Sequence, residues 1–134
     1  MKYFLLSLVL FISNIALCQQ AVPSIDGTWK AISKIETETT DGKVTEEDKD
    51  LYEAGEKTYT FTATTVTISQ AFGKHVEKMP LRIQDNQLFI GKRSKNKQPY
   101  VISMSDNRLI LTKTEHKEKK GKSKVETEVI TLEK

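Results

Sequence analysis

His75, His116, Cys18, four serines and the adjacent pair Glu46-Glu47 are the side chains of this 134-residue chain best suited to catalysis or metal ligation. Metal centres need His, Cys or carboxylate ligands at short recurring spacings, and the two histidines stand alone in different parts of the chain. Each reads as a surface histidine. Ser94, Ser103, Ser105 and Ser123 lack the Gly-x-Ser-x-Gly elbow that presents a nucleophile, and no glycine-rich loop is built to cradle phosphate. Glu46 and Glu47 sit among other charges, where solvation accounts for them. A non-catalytic protein is expected, with no cofactor and no metal.

The patterned residues are instead apolar and aromatic. Tyr59, Phe61 and Ala63 alternate with Thr58, Thr60 and Thr62, and Val66 and Ile68 alternate with Thr65, Thr67 and Ser69. Period two is the signature of half-buried strands. Leu81 and Ile83 continue it, Asp85-Asn86 marks a turn into Gln87 to Lys92, and Asp106-Asn107 joins Tyr100, Ile102 and Met104 to Leu109 and Leu111. In the last strand Val125, Thr127 and Val129 share one side, whereas Ile130 and Leu132 shift the phase, so a bulge or two-sided burial is expected there. With a strand from Thr28 to about Glu38, eight strands are predicted: 28-38, 57-63, 65-70, 75-85, 87-92, 99-105, 108-115 and 124-132. Short connections favour antiparallel meander pairing, and an eight-stranded up-and-down barrel closes it without open edges. A β-sandwich is the alternative. Between the first two strands, Thr45 to Lys57 reads as a short helix or ordered loop, with Thr45 as N-cap, acidic residues in the first turn and Gly55 as the stop. Leu51 and Tyr52 would be the inward pair if it forms a lid; a solvated acidic connector is the plainer reading.

Residues 1-18 read as an export signal: Lys2 forms a positive start, and Phe4 to Ile12 with Ile15 to Leu17 an apolar stretch too short to span a membrane. Ala16 and Cys18 satisfy the small-x-small rule for cleavage before Gln19. Ile15-Ala16-Leu17-Cys18 also resembles a lipobox, with Cys18 lipidated and Gln19 to Ser24 as tether, although Leu17 is bulky for that site. The protein is expected to be periplasmic or secreted, alternatively a membrane-anchored lipoprotein. Cys18 is the only cysteine, so the domain 19-134 folds without disulfides. That domain has 116 residues, one core's worth, and a net charge of +2 once Lys2 is removed. Its halves differ: Gln19 to Gly73 carries 5 basic and 10 acidic residues, Lys74 to Lys134 carries 15 basic and 8 acidic. Internal pairing between them is permitted.

Gly27-Thr28-Trp29 just after the signal, followed by short strands running to the C-terminus, resembles the lipocalin-like domains of small secreted bacterial proteins, within the calycin group. The resemblance implies that Trp29 packs across the closed end of a barrel against a basic side chain from a late strand, for which Arg108 is placed by position. It covers the whole mature chain in layout; the Thr-Asp-Tyr motif and cysteine pair of lipocalins are absent. Read from its own chemistry, the sole Trp plugs a core, and Gly27 lets the backbone turn where a Cβ would obstruct.

If the barrel flares, Tyr59, Phe61, Ile68, Leu81, Ile83, Tyr100, Ile102, Met104 and Leu111 line a pocket for a small hydrophobic or amphipathic ligand, with the tyrosines as polar handles. If it does not, they are core. Lys113 to Lys124 reads as an exposed basic hairpin tip and Gly91 to Gln98 as a second basic turn. At one barrel end they would form a positive rim that admits an anionic amphiphile such as a fatty acid. Nucleic acid is not an expected partner, because no aromatics interleave the lysines. The expected function is an extracytoplasmic binding protein; the alternative is a filled-barrel structural or protein-interaction domain.

Overall fold

The computed structural model describes residues 24–92 and 97–134. The expected leader 1-18, with Cys18, and Arg93 to Asn96 of the second basic turn lie outside the described residues. Nine antiparallel strands follow: β1 (Gly27–Thr40), β2 (Lys43–Leu51), β3 (Thr58–Phe61), β4 (Thr65–Gln70), β5 (His75–Gln84), β6 (Gln87–Ile90), β7 (Tyr100–Ser105), β8 (Arg108–Lys119) and β9 (Lys122–Glu133). β3 to β9 pair in chain order, and β1 pairs with both β3 and β9. Eight strands therefore close an up-and-down barrel, and β2 is an additional strand hydrogen-bonded along β1. The sandwich alternative is thereby excluded.

β2 replaces the expected helix. Thr45 to Lys57 has Leu51, Tyr52 and Ala54 bunched at one end, so a helix there has no apolar stripe to bury. Asp41-Gly42 supplies what a hairpin requires, two consecutive residues with positive φ (47° and 81°), and the following chain pairs with β1 despite its low intrinsic strand preference. After Leu51 the chain leaves β1 for six residues and rejoins it as β3. Both ends of this excursion are tied to β1, by Tyr52 N–H to the Ile32 carbonyl at 3.0 Å and Ala31 N–H to the Lys57 carbonyl at 2.9 Å.

Between these two hydrogen bonds lies a bulge. Ala31 pairs with Leu132 but Ser33 pairs with Thr131, leaving Ile32 without a partner on β9. An extra residue on one strand reverses which side chains face inward. Trp29 and Ala31 point in before it, and Lys34, opposite buried Ile130, points in after it. Glu36 and Glu38 follow Lys34 on that face. The register of β9 with β8 is unbroken, so the shift at Ile130 and Leu132 is the two-sided case: these residues are buried in the barrel, whereas Val125, Thr127 and Val129 occupy the outer face.

β1, β2, β8 and β9 run well past the barrel as a four-stranded extension. At a strand rise of about 3.3 Å per residue, β1 alone is roughly 45 Å long. The tips of its two hairpins meet: Asp41 N–H donates to the Ser123 carbonyl at 3.0 Å, and Ser123 N–H donates to the Asp41 carboxylate at 3.2 Å. Among the described residues the shortest seam is between β6 and β7, where Gln87 with Val101 and Leu88 with Tyr100 are in register.

The closed end is set by the turns at 62–64, 85–86 and 106–107. Thr62 closes the first by accepting from Thr65 N–H at 3.0 Å, while Asp85 in the second and Asp106-Asn107 in the third adopt positive φ. Trp29 plugs this end, 2% exposed, its indole N–H donating to the Ile25 carbonyl at 2.7 Å. Gly27, with φ of 109°, holds a backbone conformation open to glycine alone at little strain. The basic group over the Trp29 ring is Lys134, 5.0 Å from its centroid, rather than Arg108, whose side chain is exposed at the start of β8. Replacing Trp29 by Ala should cost about 3–5 kcal/mol, read by urea denaturation followed by circular dichroism. Arg108→Ala should change stability by less than about 0.5 kcal/mol.

Candidate functional site

The barrel interior divides along its axis. Near the plug, Phe61, Val66, Leu88, Leu109, Leu111 and Leu132 are sealed from solvent and fill the space between strands. At the opposite end, the end of the turn at 71–74, the packing opens into a cleft of about 330 Å3 that Lys97 and Gln98 help to line. Its floor is apolar: Ile68 of β4, Met79 of β5, Ile90 of β6 and Ile130 of β9. Its walls are polar, with Tyr59 and Tyr100 and the lysines Lys34, Lys57, Lys97 and Lys113 around a single carboxylate, Glu128. The change from apolar floor to charged wall follows from the strands. β9 alternates Leu132 and Ile130 inward, then Glu128; β8 alternates Leu109 and Leu111, then Lys113; the Ile32 bulge brings Lys34 in on β1.

Glu128 is already occupied. The Tyr100 hydroxyl donates to its Oε1 at 2.7 Å, Lys113 Nζ lies 3.4 Å from Oε2, and the same ammonium sits 5.0 Å from the centre of the Tyr100 ring. Lys34 is held by Glu36 at 2.7 Å. Lys57 is different. Among the described residues no carboxylate forms an ion pair with it, and its ammonium lies 5.3 Å and 5.6 Å from the ring centres of Tyr52 and Tyr59. Burial, with the nearby charge of Lys34, lowers its pKa below the ordinary lysine value. A half-buried cation partnered only by aromatic faces is the group most able to gain from an incoming anion.

The nine expected pocket residues separate into three sets. Tyr59, Ile68 and Tyr100 line the cleft. Phe61, Leu81, Ile102 and Leu111 are packed core. Ile83 and Met104 lie at the plugged end, each 39% exposed, away from the cleft. Leu51 is no inward lid residue: it pairs opposite Ser33 on the outer face and is 69% exposed. Tyr52 does pack against the core, beneath Lys57. The expected rim is also redistributed, since the Lys120-Gly121 turn ends the extension beside Asp41, and among the described residues of the two basic stretches Lys97, Gln98 and Lys113 line the cleft. Sequence reasoning missed Lys34 and Lys57. The phase of β1 after its bulge places the first, and the alternation of Tyr59 and Phe61 extended back two residues places the second.

A second concavity, of about 280 Å3, lies on the inner face of the extension and is lined by Glu36, Glu38, Glu46, Asp48, Glu115, Glu126 and Glu128 with Lys113. Lysines thread it: Lys124 binds Glu38 at 2.8 Å, and Lys117 reaches Glu126 at 2.7 Å and Glu115 at 3.4 Å. Among the described residues no group of His, Cys, Asp and Glu is arranged to hold a metal ion, and no helix is long and apolar enough to cross a membrane. The chain matches no protein-family model, no curated protein and no solved structure.

Burial holds the phenols of Tyr52, Tyr59 and Tyr100 above the ordinary value of 10.0, Tyr100 further through its hydrogen bond to Glu128. Raised phenol pKa values stabilise the fold fully below that value, and the contribution is lost as pH rises past it toward the folded-state values. An alkaline absorbance titration should therefore show these tyrosines ionising together with unfolding, detected by circular dichroism, instead of titrating freely in the native protein.

Proposed function

We propose that the cleft is a shallow binding cup for a small anionic amphiphile, in an exported, lipocalin-like carrier or sensor protein. The observation that carries this reading is the pairing of an apolar floor, Ile68, Met79, Ile90 and Ile130, with a half-buried lysine, Lys57, that no carboxylate neutralises among the described residues. The ligand's apolar part would contact the floor and its carboxylate or similar head the ammonium, with the hydroxyl of Tyr59 alongside. Because the barrel below is solid, the apolar part is short or projects outward, unlike a long chain swallowed whole. The export reading rests on residues 1-18, and the lipocalin likeness on the Gly-x-Trp plug of a closed eight-stranded barrel. A filled-barrel interaction domain is the second reading, favoured by that same solid interior.

Titration of a fluorescent short-chain fatty-acid probe tests the proposal. Lys57→Gln should weaken binding about tenfold, equivalent to ~1.4 kcal/mol, and Ile68→Asp should abolish it. Since the pKa of Lys57 is lowered, affinity should decline with rising pH earlier than for an exposed lysine. Native mass spectrometry of protein from its own source should retain a small molecule. Recovery of the bare chain, together with no binding across a panel of fatty acids and other small amphiphilic anions, would sink the idea.

A further inference from the structure

The extension has two open margins. β2 is paired on one side only, by β1, and β8 beyond Thr112 only by β9, so among the described residues both present unpaired backbone donors and acceptors. Such margins template the addition of another strand. Their charges are opposite. On the inner face β2 carries Glu46, Asp48 and Asp50, none in an ion pair among the described residues; β8 carries Lys113, Lys117 and Lys119 around Glu115. Among the described residues the acidic and basic halves of the sequence meet within one chain in a single ion pair, Lys124 with Glu38; Lys113 and Lys117 pair with carboxylates of their own half, Glu128, Glu115 and Glu126, and Lys119 forms no ion pair.

We infer that this chain assembles head to tail, β2 of one copy adding in antiparallel fashion to β8 of the next. Direction agrees: in the order β2-β1-β9-β8 every neighbour is antiparallel, so a translated copy presents its β8 antiparallel to β2 and the alternation continues unbroken. Registers that set Glu46 or Asp48 opposite Lys117 each align a second carboxylate with a lysine, Asp50 with Lys113 or Glu46 with Lys119, and each leaves one acidic residue, Asp48 or Asp50, opposite Glu115, so two opposite-charge pairs outweigh one like-charge pair. Pairing of β2 with itself about Glu47 would instead oppose Glu46 to Asp48, and like charges in register disfavour it. A contact between two different surfaces does not close on itself as a two-fold dimer does, so growth beyond a dimer follows.

Sedimentation velocity on the folded wild-type domain at low ionic strength should show mass rising past the dimer with concentration. The species should dissociate near 1 M salt, where charges are screened within about 3 Å. The variant Glu46→Lys/Asp48→Lys/Asp50→Lys and the variant Lys117→Glu/Lys119→Glu, each verified as folded by circular dichroism, should both be monomeric. Mixed in equal amounts they should assemble again, since each supplies the margin complementary to the other. A wild-type monomer at every concentration, assembly that persists in high salt, or a mixture that stays monomeric would overturn the inference.

Discussion

One unpaired residue, Ile32, sets the character of everything beyond the barrel. By adding a residue to β1 without a counterpart on β9, it exchanges the inner and outer faces of the longest strand. Without it, Ser33, Ile35 and Thr37 would continue the interior of β1, and β1 would bring no charge to face Lys113 and Glu128 of β8 and β9. With it, Lys34, Glu36 and Glu38 turn inward, the core ends abruptly, and a charged wall begins. The same residue's carbonyl receives the Tyr52 amide, so the bulge also fixes where β2 stops and the excursion carrying Lys57 begins.

The protein thus consists of two structures sharing strands. The barrel is ordered by burial: its lower half is sealed aliphatic and aromatic side chains, each fully buried one worth about 1.5–3 kcal/mol in transfer. The extension has nothing comparable to bury, and its outer face is threonine and valine at intermediate exposure, with Val44 and Leu51 well exposed at 64% and 69%. Its order comes from backbone pairing and from partly exposed ion pairs, which are individually weak. The cleft sits at the junction, where apolar and charged walls meet.

The barrel was legible because it is made of repeated local signals. Tyr59 and Phe61, Val66 and Ile68, and the Asp85-Asn86 and Asp106-Asn107 turns fix strands and connections by period and turn chemistry. β2 was not, because Glu46 to Asp50 carry helix-favouring charge and no apolar alternation, and its local mark is confined to the Asp41-Gly42 turn pair. The cleft was half legible. Tyr59, Ile68 and Tyr100 belong to alternating strands, but alternation cannot distinguish Ile68 at the mouth from Ile83 at the plugged end, a difference of position along the barrel axis. Lys57 continues the phase of Tyr59 and Phe61 at the start of the predicted strand 57-63, but its contacts with Tyr52 and Tyr59 come from tertiary structure.

The narrow join between β6 and β7 has a consequence for how the barrel moves. β8 and β9 are zipped from Arg108–Glu133 to Lys119–Lys122, whereas β6 and β7 share two register pairs. Cooperative opening begins where the fewest hydrogen bonds and packed side chains must be given up. Across the seam Leu88, buried in the core, pairs directly with Tyr100, which lines the cleft, so a breath of the wall at that line would disturb core and cleft together. The barrel is in this sense a cylinder with a slit, stiff around most of its circumference and compliant along one line.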